Sequence, residues 1–234
     1  MPEQTLPSAM ILAAGKGERM RPLTLTTPKP LLQAGGRALI DYHLGNLHSA
    51  GFREVVINHA WLGDQLVQTL GDGYDKGLSI HYSHEPTPLE TAGGIRQALP
   101  LLTATGQDWF LVINGDIWCD LDLSCMVPPA GDDQALLVLV DNPPHHPAGD
   151  FHLDQSGRVH ASGAPALTFA GISLLHRSLF DSLPTGYRKL APLLKEAMTA
   201  GRAGGIRHNG AWFDIGTPER LASLDRYLSA IGEA

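Results

Sequence analysis

Lys16, Arg19, Arg21 and Lys29 crowd a stretch that also holds Gly15, Gly17, Pro22, Pro28 and Pro30. Glycine lets backbone amides approach an anion closely, and cations fixed nearby can then grip it. The chemistry implied is the holding of a triphosphate. From Lys16 to Arg37 five Lys/Arg meet one Glu, a local net of +4 in a chain whose total is -7. Positive potential is therefore concentrated where a phosphate ligand would need it. Two familiar phosphate loops are excluded. The dinucleotide pattern G-x-G-x-x-G is met at Gly15 and Gly17, but its third position is Met20, and G-x-x-x-x-G-K-[ST] is absent. The prolines forbid an immediate long helix. What remains is a stiff excursion able to wrap around a triphosphate, with Arg19 forking onto terminal phosphates and Lys29 supplying a point charge at the reacting phosphorus. A plain surface loop would not need three prolines.

Two carboxylates end apolar runs. Asn114-Gly115-Asp116 follows Trp109–Ile113, and Asp214 follows Ala211-Trp212-Phe213. In an open α/β sheet, ligands sit beyond the carboxyl ends of strands, which aims Asp116 at the ligand crevice. Carboxylates from two strand ends suit Mg2+, which favours one or two of them together with phosphate oxygens and waters. The rival reading for each is an Asx-turn or a helix cap. Cys119 and Cys125 fit no common zinc spacing and read as reduced thiols. Eleven histidines are scattered, and His145-His146 beside Pro147 reads as loop rather than as a ligand pair.

These residues need a scaffold, and the pattern supplies one. Strand signals at Ser8–Ala14, Glu54–Asn58, Leu78–Tyr82, Trp109–Ile113 and Ala135–Val140 alternate with helix signals at Leu39–Ala50, Asp64–Leu70 and Thr91–Leu102. Such alternation predicts βαβ units and a largely parallel sheet. The rhythm then changes. Phe151–Leu153 and Val159 flank Gln155-Ser156-Gly157, a hairpin signal, before a strand at Leu167–Leu175 and a helix at Leu190–Ala200. Thr217 caps a last helix that Pro218 opens. The reading is one domain over residues 1–234, with a small antiparallel insertion in its second half. Trp61, Trp118 and Leu121 are expected in the core.

The overall charge and the lack of basic runs argue against nucleic acid and anionic membranes as partners. No apolar run approaches the ~20 residues of a membrane span. Met1-Pro2-Glu3-Gln4 lacks the basic start of a secretion signal, so a cytoplasmic protein is expected.

Taken together, Leu12-Ala13-Ala14-Gly15-Lys16-Gly17-Glu18-Arg19-Met20, Pro28-Lys29, Asn114-Gly115-Asp116 and Trp212-Phe213-Asp214-Ile215-Gly216-Thr217 resemble the signature of the sugar-1-phosphate nucleotidyltransferases. The resemblance spans nearly the whole chain. It implies a Rossmann-like, mostly parallel sheet of the nucleotide-diphospho-sugar transferase type, and transfer of a nucleotide from UTP to a sugar 1-phosphate. Arg19, Lys29 and Asp116 would then be catalytic. Asp116 and Asp214 would hold Mg2+. Ala13, Ala14, Gly15, Gly17, Glu18, Arg19 and Lys29 would line the nucleotide site. Pro88-Leu89-Glu90-Thr91-Ala92-Gly93-Gly94 resembles the family's nucleobase turn, which adds Glu90, Thr91 and Gly93, with glycine there freeing backbone amides to read base edges. Asn114 and Asp150 would position the sugar. Phe169 stands where the family's sugar-floor strand usually carries Asn, so a flat apolar face replaces an amide. A mannose-1-phosphate guanylyltransferase shares every phosphate and metal motif. A non-catalytic sugar-nucleotide sensor, which would lose a cation or carboxylate, is disfavoured by the presence of Arg19, Lys29, Asp116 and Asp214.

Overall fold

The structure, a computed structural model, describes residues 6–232. The residues from which the absence of a secretion signal was read, 1–4, lie outside that range. Strand β1 (Ala9–Leu12) leads into the cationic excursion, which folds as three single helical turns, Glu18–Met20, Leu23–Leu25 and Lys29–Leu31, and a minimal hairpin of β2 (Gln33–Ala34) and β3 (Arg37–Ala38). The alternating half follows: α1 (Leu39–Ser49), β4 (Glu54–His59), α2 (Gly63–Leu70), β5 (Ser79–His84), α3 (Glu90–Leu102) and β6 (Trp109–Asn114). Then come β7 (Ile117–Cys119), β8 (Ala135–Val140), the β9 (Phe151–Leu153) and β10 (Val159–His160) hairpin, and the long β11 (Ala166–His176). The chain ends with α4 (Leu190–Thr199), β12 (Ala203–Arg207), β13 (Trp212–Asp214) and α5 (Pro218–Ile231).

The main sheet runs in the order β10-β9-β11-β6-β1-β4-β5, with β8 pairing both β11 and β12. Strands β6, β1, β4 and β5 are mutually parallel. β11 runs antiparallel to β6, β8 and β9 and carries the predicted antiparallel insertion. Side-chain alternation sorts β1 between two layers: Ala9 and Ile11 join a core with α1 and α2, while Met10 joins a second core with α3 and α4. A third cluster joins Met20 of the excursion with Trp118, Ile215 and Leu224, so α5 packs under that segment. Trp118 is buried as expected. Trp61 is not: it is 44% exposed, and its indole N–H donates to the Thr24 carbonyl at 3.0 Å, strapping the excursion to the α2 side of the sheet. Among the described residues no helix is long and apolar enough to cross a membrane.

Candidate active site

Parallel register brings three strand ends level. Leu12 at the end of β1 pairs with Asn58 of β4 on one side and Asn114 of β6 on the other. Their backbones lock together where the sheet stops: Asn58 Oδ1 accepts the Ala13 amide at 2.8 Å, and the Gly115 amide donates to the Leu12 carbonyl at 2.9 Å. Above these ends opens a cleft of about 810 Å³. Its wall holds Ala13, Ala14, Gly15, Lys16, Gly17, Glu18, Arg19 and Lys29 from the excursion, Glu90 and Thr91 from the start of α3, and Asn114 and Asp116 from the β6 end. Most residues singled out in the sequence are thus assembled around one void.

The two glycines of the loop differ in what demands them. Gly17 has φ +61, and a Cβ on it would lie 2.8 Å from Thr24 Cγ2, whose hydroxyl donates back to the Gly17 carbonyl at 2.7 Å. Its glycine is needed by the fold itself. Gly15 has ordinary φ, and a Cβ there would meet nothing within 4 Å. Among the described residues no atom requires glycine at position 15, although it lines the cleft.

Lys29 is set by a single helical turn behind extended Pro28, and its Nζ donates to Asp116 Oδ2 at 2.8 Å. The lysine side chain is only 11% exposed, so this charge is pinned rather than free to swing. Arg19 and Lys16 stand exposed at the mouth, and among the described residues neither has an ion-pair partner. Behind Asp116 lies His43, wholly buried. Burial pushes its pKa down to about 4, opposed by the Asp116 charge and a hydrogen bond to Ile117, so the ring is neutral near pH 7.

β13 pairs with β7, opposite Asp214 stands Ile117, and the Ile215 amide donates to the Asp116 carbonyl at 2.9 Å. Asp116 and Asp214 therefore sit at neighbouring strand ends, although Asp214 lies beside the cleft rather than on its wall. Each carboxylate is partly exposed and carries a cationic neighbour, Lys29 on Asp116 and Arg220 on Asp214, with the His145 ring also against Asp214. Two hard oxygen donors with solvent access fit a divalent cation of the magnesium kind.

Asp150 also stands outside the wall. Its Oδ2 accepts the Phe169 amide at 2.9 Å and its Oδ1 is 3.0 Å from His146 Nε2, which fixes it on the floor strand β11. That strand shifts register between Phe169 and Ser173. Gly171 lies within the shift at φ +78, and a Cβ there would overlap Asn114 Nδ2 at 2.7 Å. The glycine lets Asn114 lie flat against the floor. Gly93, expected at the nucleobase turn, packs against the 184–189 loop. Its amide and that of Ala92 both donate to the Arg188 carbonyl, and a Cβ on Gly93 would be 2.2 Å from the Gly186 carbonyl oxygen. The glycine admits the 184–189 loop, and its amide is not turned toward the cleft.

Several site residues were not singled out from sequence. Glu85, 1% exposed, reaches the cleft with Oε1 accepting Asn58 Nδ2 at 2.7 Å and Oε2 accepting the Leu89 amide at 2.8 Å. Tyr187 is another, lining the cleft and donating its hydroxyl to Oε1 of the expected Glu90 at 2.7 Å, and Glu90 itself holds the left-handed conformation (φ 62), rare outside glycine. The histidines read as plain loop each hold a candidate carboxylate, His145 on Asp214 and His146 on Asp150. Both cysteines are free, and buried Cys119 lies with Asp120 and His208 at the far end of β7.

Comparison with known proteins agrees with this geometry. The profile of the family described as Nucleotidyl transferase matches residues 8–161. An N-acetylmuramate alpha-1-phosphate uridylyltransferase of Neisseria meningitidis serogroup B is 52% identical over 230 residues, covering 95% of this chain and 98% of that one. Its counterpart in Caulobacter vibrioides is 34% identical over 95% of this chain and 97% of its own. The mannose-1-phosphate guanylyltransferase catalytic subunit beta of Drosophila melanogaster is 30% identical over 95% of this chain but 63% of its own length. HddC from Yersinia pseudotuberculosis, solved in complex with GMP-PN, shares the fold with a TM-score of 0.79 at 20% identity, covering 95% of this chain and 100% of that one.

Proposed function

The chain belongs to the nucleotidyl transferase family, and we propose that it joins UTP to N-acetylmuramic acid 1-phosphate, giving UDP-N-acetylmuramic acid and pyrophosphate. One observation carries the reaction class: Gly15, Lys29 and Asp116 meet in one cleft beyond level strand ends, with a glycine at position 15 that no other described residue requires. The choice of substrates rests on the near full-length relatives bearing that activity. The product is a cell-wall sugar nucleotide, so the setting proposed is recycling of peptidoglycan in the cytoplasm, with residues 1–234 forming one catalytic domain.

An oxygen of the sugar 1-phosphate attacks the α-phosphorus of UTP. The new P–O bond forms as the bond to the β-phosphate oxygen breaks, and pyrophosphate leaves with its electron pair. A phosphate monoester has a second pKa near ~6, so the nucleophile is already anionic and no general base is needed. What the site must do is bring two polyanions together in line and stabilise developing charge. Lys29, pinned on Asp116, places its charge at the α-phosphate. Arg19 and the amides from Gly15 to Glu18 hold the departing pyrophosphate. Asn114 and Asp150, both fixed against the floor strand, orient the sugar. Asp116 and Asp214 would hold the family's divalent cation, proposed as Mg2+, which when bound lowers the repulsion between the two phosphates.

Pyrophosphate release, measured with UTP, GTP, CTP and dTTP against N-acetylmuramic acid, N-acetylglucosamine, glucose and mannose 1-phosphates, tests this reading. UTP with N-acetylmuramic acid 1-phosphate should give the highest kcat/KM. A higher value for GTP with mannose 1-phosphate would replace this reading by the guanylyltransferase.

A further inference from the structure

A cation in the first turn of a helix opposes the helix dipole, whose N-terminal end is positive. Arg220 occupies that place in α5, where the Thr217 hydroxyl accepts its amide at 3.4 Å. The local sequence gives it no reason to be there. What holds it is Asp214, whose Oδ2 accepts a hydrogen bond from Nη1. His145 Nε2 stands 3.0 Å from the same Nη1 and 3.2 Å from the same carboxylate oxygen. Two basic groups thus converge on one oxygen of one aspartate. The guanidinium lies over Gly216, where a Cβ would meet Nη2 at 3.1 Å, and Gly216 lines the cleft. Arg220 keeps 24% of its side chain exposed, so a ligand in the cleft can reach it. His145 belongs to the loop that ends in Asp150 on the floor strand, which puts the pair at the sugar end.

The charge count then matters. Asp214 is one of the two carboxylates assigned to the divalent cation. With its charge shared in that way, Arg220 and the α5 N-terminus are left with surplus positive potential beside the sugar. A neutral sugar has nothing to set against it. A carboxylate has the right sign and the flat two-oxygen edge that a guanidinium fork grips. We propose that Arg220, with His145 behind it, binds a carboxylate carried by the sugar phosphate and so selects acidic sugars over neutral sugars of the same ring. This rests on the activity proposed above, since the lactyl ether of N-acetylmuramic acid carries such a group.

The test compares N-acetylmuramic acid 1-phosphate with N-acetylglucosamine 1-phosphate, which lacks only the lactyl ether, in the wild type, Arg220→Gln and Arg220→Lys. Arg220→Gln should lower kcat/KM for the acidic substrate by about 10- to 100-fold, mostly through KM, the range for losing a hydrogen bond to a charged group. The neutral substrate should change by less than about threefold, and Arg220→Lys should recover part of the loss through its retained charge. Calorimetric titration with the two UDP-sugars should show the same selective loss of affinity without turnover. An equal fall for both sugars would assign Arg220 to orienting Asp214 alone and overturn the proposal, as would no change for either. If the wild type itself releases no pyrophosphate with the acidic sugar phosphate, the proposed function fails instead, and that result is visible before any mutation is compared.

Discussion

Replacing Gly15 with alanine separates the two reasons a chain keeps a glycine. A Cβ at position 15 meets no atom within 4 Å, and the backbone there is not left-handed. The folded protein can therefore accept the methyl. Because alanine has less freedom when unfolded, Gly15→Ala should stabilise by about 0.4–1 kcal/mol, a Tm rise of about 1–4 °C for a chain of this size. The same methyl projects where the glycine amides should meet phosphate. Loss of one amide bond to a charged oxygen corresponds to about 1.5–3 kcal/mol, so the KM for UTP should rise by about 10- to 100-fold. Gly17→Ala is the contrast. There φ is +61 and the Cβ would press on Thr24 Cγ2 at 2.8 Å, so a stability loss of about 1–3 kcal/mol is expected. Thermal melts paired with steady-state pyrophosphate release over a UTP series give both readouts. If Gly15→Ala melts as early as Gly17→Ala, or leaves the KM for UTP where it was, the glycine does not serve the ligand.

Three further outcomes follow from the same geometry. Asp116→Asn and Lys29→Ala should each lower kcat by order 10² or more, as for removal of a pre-positioned electrostatic group, and near-normal turnover in either would reject its role. Asp150→Ala should raise the KM for the sugar phosphate by roughly tenfold, in line with a lost polar contact, while a change confined to the UTP KM would misplace that residue. His43 should make stability depend on pH. Its folded pKa of about 4 lies below the ordinary 6.5, so its contribution is complete above 6.5 and is lost as pH falls toward 4. The full span is on the order of 3 kcal/mol, and urea midpoints from pH 7 to 4.5 should fall less steeply in His43→Leu than in the wild type. An unchanged slope in that variant would show that another group is responsible.

What could be read along the chain was whatever is contiguous. The glycine turn, Lys29, and the two aspartates at the ends of apolar runs are local patterns, and the alternation of β and α signals carried the parallel half of the sheet. Elements made by pairing were missed. β12 contains Gly204 and Gly205, poor strand formers, and exists because it lies along β8. Site residues made by register were missed for the same reason. Asn58 is 45 positions from Ala13, yet it caps that amide because β4 and β1 stop at the same level. Glu85 joins through Asn58, 27 positions away, and no periodicity announces it. Gly93 was legible as a point of close backbone approach, but the Gly186 carbonyl that approaches it comes from a loop 93 positions away that no local pattern indicates.

The residues assigned to the reaction also share an electrical logic that no single motif carries. Asp116, Asp214 and Asp150 each stand beside a basic group of their own, Lys29, Arg220 and His146. Left bare, three carboxylates at one end of a cleft would repel both incoming phosphates at the distance where Coulomb energy is largest. Lys29 and Arg220 offset the charges of Asp116 and Asp214, which brings that end of the ligand-free cleft closer to balance. Lys16 and Arg19, which have no ion-pair partner among the described residues, would then set the sign of the mouth and favour entry of a triphosphate. On the function proposed above, Lys29 would stay against Asp116 and share its charge with phosphate, while the other Asp116 oxygen would be left for a cation. Neutralisation would then draw on charges already held in place, which would keep the reorganisation small when charge moves between the phosphates.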